Sequence, residues 1–226
     1  MRKRQKMDYG RNIPNEVIFS ILRILKRSNP GDLYYESYLT HLAKRGNSFL
    51  DIYHFMWEWV IENHPKRILE IGVRTGISLC QLLSAYIYYE MIEKIYLCDI
   101  FNDGYCTPGL VQMNLRYLNI PDSVLGKIKW YIGDSKETIP EIRAREPDLL
   151  FDYILVDGSH DPTDARMDLE LVYPIVSPGG VILFDDIGPD GMNMLPVWLE
   201  FKQSCQDEFT WFENQDGKGL GVAIKK

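Results

Sequence analysis

Two apolar runs end in residues that could do chemistry together. Phe151-Asp-Tyr-Ile-Leu-Val is followed by Asp157-Gly158-Ser159-His160, and Gly180-Val-Ile-Leu-Phe by Asp185-Asp186. If these runs are neighbouring strands, Asp157, Asp185 and Asp186 meet at one edge, a hard oxygen set suited to Mg2+ or Mn2+. Crowded carboxylates repel one another, and a cation resolves that conflict. His160 adds an imidazole, the side chain whose ordinary titration lies nearest neutrality. His41, His54 and His64 stand in no comparable context and read as structural.

A second constellation lies earlier. Ile68-Leu69-Glu70-Ile71 stops at Gly72, Gly76 follows, and Ile77, Cys80, Leu83 and Ile87 then recur near helical spacing. That order is a buried strand, a glycine turn and the start of a helix. A dinucleotide fingerprint, Gly-x-Gly-x-x-Gly, would rest pyrophosphate on the helix N-terminus. Here the middle glycine is missing and Glu70 precedes the turn, an acid that repels pyrophosphate but suits ammonium or sulfonium charge. Asp99 closes the run 94–99, and Asp134-Ser135 follows 128–132. An acid after the second strand can accept both hydroxyls of a ribose.

The elements that must position these residues alternate. Strands are expected at 67–71, 94–99, 128–132, 152–157, 179–185, 208–213 and 219–224, with helices at 76–91, 108–119, 135–145, 163–174 and 193–204. Apolar strands separated by helical spans mean βαβ crossovers and a parallel sheet covered on both faces. Such sheets bind ligands outside the strand carboxyl ends, where Glu70, Asp99, Asp134, Asp157 and Asp185-Asp186 all fall. Between the last two strands, Asn214 to Gly219 leaves no room for a helix, so they form a hairpin. The predicted architecture is therefore α/β, a doubly wound, mainly parallel, seven-stranded sheet. Helical patterns at 14–28 and 48–63, without strand signals, suggest an N-terminal cap over residues 1–64 ahead of a sheet domain at 65–226.

Taken together, the turn Glu70-x-Gly72-x-x-x-Gly76, Asp99, Gly133-Asp134-Ser135 and the order of elements from 67 to 224 resemble the class I S-adenosylmethionine-dependent methyltransferases. The segments Asp157-Gly-Ser-His160 and Asp185-Asp186 resemble those of the metal-dependent O-methyltransferases: the catechol type, and more closely the macrolide-sugar (macrocin O-methyltransferase-like) type. The resemblance implies S-adenosylmethionine as cofactor, with Glu70, Gly72, Gly76, Ser78, Asp99, Asp134, Ser135 and Asp157 as its contacts. It implies Mg2+ or Mn2+ on Asp157, Asp185 and Asp186, and His160 as general base where the catechol type places a lysine. Asp186 stands where that type usually has Asn, which raises the site's negative charge and puts its precise ligand set in doubt. The implied acceptor is a small molecule with a hydroxyl, a sugar or polyketide-type natural product, best with a vicinal diol. Tyr34, Tyr35, Trp57 and Tyr105 could stack on it or form an apolar seam. A non-catalytic binding protein on the same fold is the alternative.

Composition narrows the partners. A chain of 226 residues with 46% hydrophobic and 25% charged residues suits one sizeable core. A net charge of −7 argues against nucleic acid, and the cluster Arg2, Lys3, Arg4 and Lys6 reads as a solvated tail. No apolar stretch approaches a membrane span, and no signal-peptide core follows the N-terminal charges. Cys80, Cys98, Cys106 and Cys205 show no Cys-x-x-Cys pairing and read as reduced core thiols. A cytoplasmic homo-oligomer without membrane or nucleic-acid partners is expected.

Overall fold

The computed structural model describes residues 59–85, 89–102, 104, 106–215 and 217–226. The cap over 1–64 therefore lies outside the described residues up to position 58, and Tyr34, Tyr35, Trp57 and Tyr105 with it. Residues 59–63 are helical, with Trp59 and Val60 buried.

The chain then enters β1 (Arg67–Ile71), α1 (Ile77–Ala85), β2 (Lys94–Asp99), α2 (Pro108–Tyr117), α3 (Asp122–Leu125), β3 (Ile128–Ile132), α4 (Ser135–Arg145) and β4 (Phe151–Val156). It continues through α5 (Pro162–Val172), β5 (Val176–Asp185), α6 (Leu195–Ser204), β6 (Phe209–Asn214) and β7 (Leu220–Lys225). The seven strands form one sheet in the order β3-β2-β1-β4-β5-β7-β6. Pairings through β5 are parallel, while β7 runs antiparallel to both β5 and β6, as the short connection between β6 and β7 requires.

The apolar central strands β1, β2, β4 and β5 are buried on both faces, and two cores result. Ile68, Ile95, Leu97, Leu155 and Leu183 pack with Leu79 and Leu83 of α1 and Leu115 of α2. The alternate residues, Leu69, Ile71, Tyr96, Ile154 and Ile182, pack with Ile139 of α4, Leu169 of α5 and Trp198 of α6.

The differences from the predicted bounds have local causes. Helix α5 begins at Pro162 because proline needs no amide partner in the first turn, and Asp161 caps it by accepting from Thr163 N at 2.8 Å. Strand β5 starts three residues before the expected 179 because Pro178-Gly179-Gly180 forms a bulge inside the strand, not the turn before it. The expected helix 76–91 ends at Ala85, and a 3-10 turn at Tyr89–Met91 leads into β2. The single turn α3 was not anticipated. All four cysteines are buried, and none is in a disulfide. Among the described residues no helix is long and apolar enough to cross a membrane.

Candidate active site

The strand order reverses between β1 and β4, and a cleft of about 660 Å³ opens there, outside the strand carboxyl ends. Its walls include Gly72, Asp99, Asp134, Ser135, Asp157, His160 and Asp186. Glu70, Gly76, Ser78 and Asp185 are not on the wall.

Gly72 marks the closest approach of the two central strands. Its φ is +85°, and a Cβ would lie 1.8 Å from Asp157 O. Glycine is thus required there by the neighbouring backbone, before any ligand is considered. The turn is drawn towards β2: Gly72 N donates to Cys98 O at 3.0 Å and Arg74 N to Asp99 Oδ2 at 2.7 Å. Asp99 Oδ1 accepts from Phe101 N at 2.6 Å. Arg74 (φ +50°) and Phe101 (φ +43°) both adopt the left-handed region, a strained backbone of the kind that gathers at ligand sites.

Glu70 departs from its expected place. It is the penultimate residue of β1, so period-two alternation turns it away from Ile71 and towards α1. There it accepts the Ser78 hydroxyl and is 2% exposed. Burial pushes its carboxyl up to about 8, Asp99 adds to the rise, and the Ser78 hydrogen bond opposes it. Glu70 and Ser78 therefore brace the glycine turn from behind.

At the β3 end, Asp134 caps α4 by accepting from Lys136 N at 2.9 Å, and Lys136 Nζ lies 2.5 Å from Asp164 Oδ1. The Ser135 hydroxyl bonds Asp168 of α5. Asp168 also lines the cleft, and burial pushes its carboxyl up to about 6. It was not anticipated, because nothing in the helical pattern of α5 distinguishes it from a solvated acid.

The acids at β4 and β5 meet, in a set that differs from the expected one. Asp157, His160 and Asp186 each offer a ligand atom, and these atoms lie within 4.8 Å of one another. Asp185 is outside that group. Asp186 breaks the strand alternation with φ +64°, and His160 Nε2 lies 2.9 Å from its Oδ2. Lys218, from the hairpin turn, was also missed: its Nζ is 3.0 Å from Asp186 Oδ1 and 3.3 Å from Asp185 Oδ2. Burial raises the Asp157 carboxyl well above its ordinary range, with Asp185 adding to the effect, and burial raises Asp185 as well. Burial also works against charge on Asp186, but the His160 hydrogen bond and the Lys218 ammonium together hold it below the usual range.

This donor set fits a hard cation. Among the described residues Asp185 Oδ1 is buried without a hydrogen-bond partner, and Asp186 Oδ1 meets the Lys218 ammonium at 3.0 Å, so this group of buried acids has little positive charge within it. The two carboxylates are ordinary ligands for Mg2+ or Mn2+, and the imidazole beside them is better suited to moving a proton than to binding a hard ion.

The strand order, the antiparallel final strand and the cleft at the reversal define the class I methyltransferase fold. The methyltransferase domain family matches residues 69–187, more than half of the chain, and the chain belongs to that family. The O-methyltransferase hkm8 of Aspergillus hancockii is 25% identical over 138 residues, 58% of this chain and 47% of that protein, so the match spans about half the relative's length. Solved structures share the fold, among them two O-methyltransferases. The O-methyltransferase from Bacillus cereus in complex with S-adenosylhomocysteine has a TM-score of 0.65 at 16% identity, over 92% of this chain and 91% of its own. TomG from Streptomyces achromogenes, an O-methyltransferase of tomaymycin synthesis in complex with S-adenosylmethionine, has a TM-score of 0.59 at 18% identity, over 89% and 98%.

Proposed function

We propose that the protein is an S-adenosylmethionine-dependent O-methyltransferase whose acceptor hydroxyl is deprotonated by His160. The observation that carries this reading is the His160–Asp186 pair beside Asp157, in the cleft that the Gly72 turn enters. A carboxylate on one imidazole nitrogen fixes the ring's orientation and stabilises the imidazolium that forms when the other nitrogen takes a proton. When bound, S-adenosylmethionine supplies the methyl group on a sulfonium, and Mg2+ or Mn2+ supplies Lewis-acid stabilisation of the acceptor oxygen.

The chain's own residues do the rest. Asp99 would accept ribose hydroxyls; each of its oxygens already accepts one backbone N–H, from Arg74 or Phe101, and keeps a further lone pair. Asp134 and Ser135, which line the same cleft, would meet the adenine. Asp157 and Asp186 would hold the cation, and Asp185, next in sequence to Asp186, shares the Lys218 ammonium with it. His160 holds the abstracted proton while the cleft keeps oxygen, methyl and sulfur in line. The acceptor we infer is a hydroxyl-bearing small molecule, a sugar or polyketide-type natural product, with a second oxygen beside the first.

Thermal shift tests the cofactor. At a hundredfold excess over its Kd, S-adenosylhomocysteine adds about 2.7 kcal/mol of stability, which raises Tm by about 5–10 °C, whereas NAD leaves it unchanged. No response to S-adenosyl ligands would overturn the reading. Turnover should fall at least ~100-fold in His160→Ala, with S-adenosylhomocysteine binding retained. Unchanged turnover in that variant would remove His160 from the role of base.

A further inference from the structure

The turn between β6 and β7 is locked into the site more firmly than a solvent-facing hairpin requires. Gly188 N donates to Lys218 O at 2.5 Å, and Asp190 N to Gly217 O at 2.8 Å. A Cβ on Gly188 would lie 2.5 Å from Gly217 O, one on Gly191 2.6 Å from Lys218 O, and one on Gly219 2.2 Å from Gly188 N. These three glycines let the hairpin turn and the loop after β5 interlock, which fixes the point from which Lys218 reaches inward.

Its ammonium then lies against two carboxylates whose side chains are 12% and 3% exposed, while Lys218 itself is 34% exposed. Exposed ion pairs contribute little and need no such scaffold. Here a cation is delivered to buried acids, one of which shares a donor group with Asp157 and His160. One of the carboxylates that would face a divalent ion, Asp186, already meets Lys218 at 3.0 Å, and unit charges this close interact strongly away from bulk water.

We propose that Lys218 is the resident counter-charge of the cation site and sets how tightly a divalent ion binds there. This rests on the cation reading of Asp157 and Asp186 given above. An incoming ion must share Asp186 with the ammonium or turn the lysine stem towards the open cleft, and either course weakens its binding. Without Lys218 the site keeps its carboxylates and loses the competitor.

The test is Mn2+ binding to the full chain, followed by electron paramagnetic resonance of the free ion, with no acceptor present. Lys218→Met should bind Mn2+ about tenfold more tightly than the parent or better, and Lys218→Arg should stay within about threefold of it. Asp186→Asn should remove the bound ion from both the parent and the Lys218→Met background. Circular dichroism and Tm establish that each variant is folded, and Lys218→Gln carries the same expectation should Lys218→Met not fold. Equal or weaker Mn2+ binding without the lysine, with Asp186→Asn still removing the ion, overturns the role of Lys218 and leaves the cation site standing. Mn2+ binding indifferent to Asp186→Asn, or absent from both the parent and Lys218→Met, overturns the cation site and the proposal together.

Discussion

Glu70 separates two accounts of the glycine turn, and replacing it with glutamine distinguishes them. As a fixed counter-charge for the methionine end of a cofactor, Glu70 must be ionised at neutral pH. Sealed behind the turn on the Ser78 hydroxyl, with its carboxyl pushed from an ordinary 4.5 up to about 8, it holds its proton instead. The folded chain then binds that proton more tightly than the unfolded chain. The associated stability is full below about pH 4.5, declines as pH rises and is gone above about 8. At 1.36 kcal/mol per pKa unit the ceiling is about 5 kcal/mol, and local relaxation brings the expectation to about 2–4 kcal/mol. Glutamine has the same shape and cannot ionise. Glu70→Gln should therefore match the parent within about 1 kcal/mol at pH 5 and exceed its stability by about 2–4 kcal/mol at pH 8.5. Urea unfolding of both proteins from pH 5 to 8.5 measures the difference, and groups common to both cancel. A difference that stays constant with pH, or that turns against glutamine as pH rises, would show Glu70 charged in the folded protein and refute the reasoning.

Two further perturbations test the frame around the site. Gly72→Ala sets a Cβ 1.8 Å from Asp157 O at a φ of +85°, so the ends of β1 and β4 must part; a loss of at least ~3 kcal/mol is expected, and calorimetry should record a Tm lower by about 6–12 °C. At the opposite edge of the sheet, hydrogen bonds from Lys129, Lys94 and Tyr96 hold the Glu146 carboxyl down to about 2. That stability is present above about pH 4.5 and lost as pH falls towards 2, so Glu146→Gln should cost about 1–2 kcal/mol at pH 7 and nothing near pH 2, again by urea unfolding.

The sheet was legible in the sequence because its central strands are dominated by apolar residues, as in the runs Ile68-Leu69, Ile95 to Cys98, Tyr153 to Val156 and Val181 to Phe184. The runs 67–71, 94–99 and 128–132 coincide with β1, β2 and β3, and the glycines, prolines and caps between the runs mark the helices. The boundary at β5 was misread where a local signal has two meanings: Pro-Gly-Gly marks a turn or a bulge, and only pairing with Phe151 across the sheet decides. The same limit governs the site. A rule that strand ends face the cleft holds for Asp134, Asp157 and Asp186, just beyond their strands, and for Asp99, the last residue of β2. It fails for Glu70, one residue too early, which alternation turns under α1. It fails for Asp185 too, the last residue of β5, which stands outside the donor group that Asp186 joins.

Lys218 is the instructive omission, because the information needed to find it was distributed over the chain. Its turn, Asn214 to Gly219, is ordinary hairpin sequence. What brings it to the acids is the return of β7 antiparallel to β5, in a register that pairs Asp185 with Leu220. In an antiparallel pair, residues beyond one partner's end face residues before the other's start, so 186–188 must meet 217–219 once that register is set. The clash that a Cβ on Gly188, Gly191 or Gly219 would cause then has a reason, since each lies where the two segments cross. A hairpin placed beside the last parallel strand thus delivers its turn residues to the cleft edge. In this chain the residue delivered is a lysine, set against the acids that end β5.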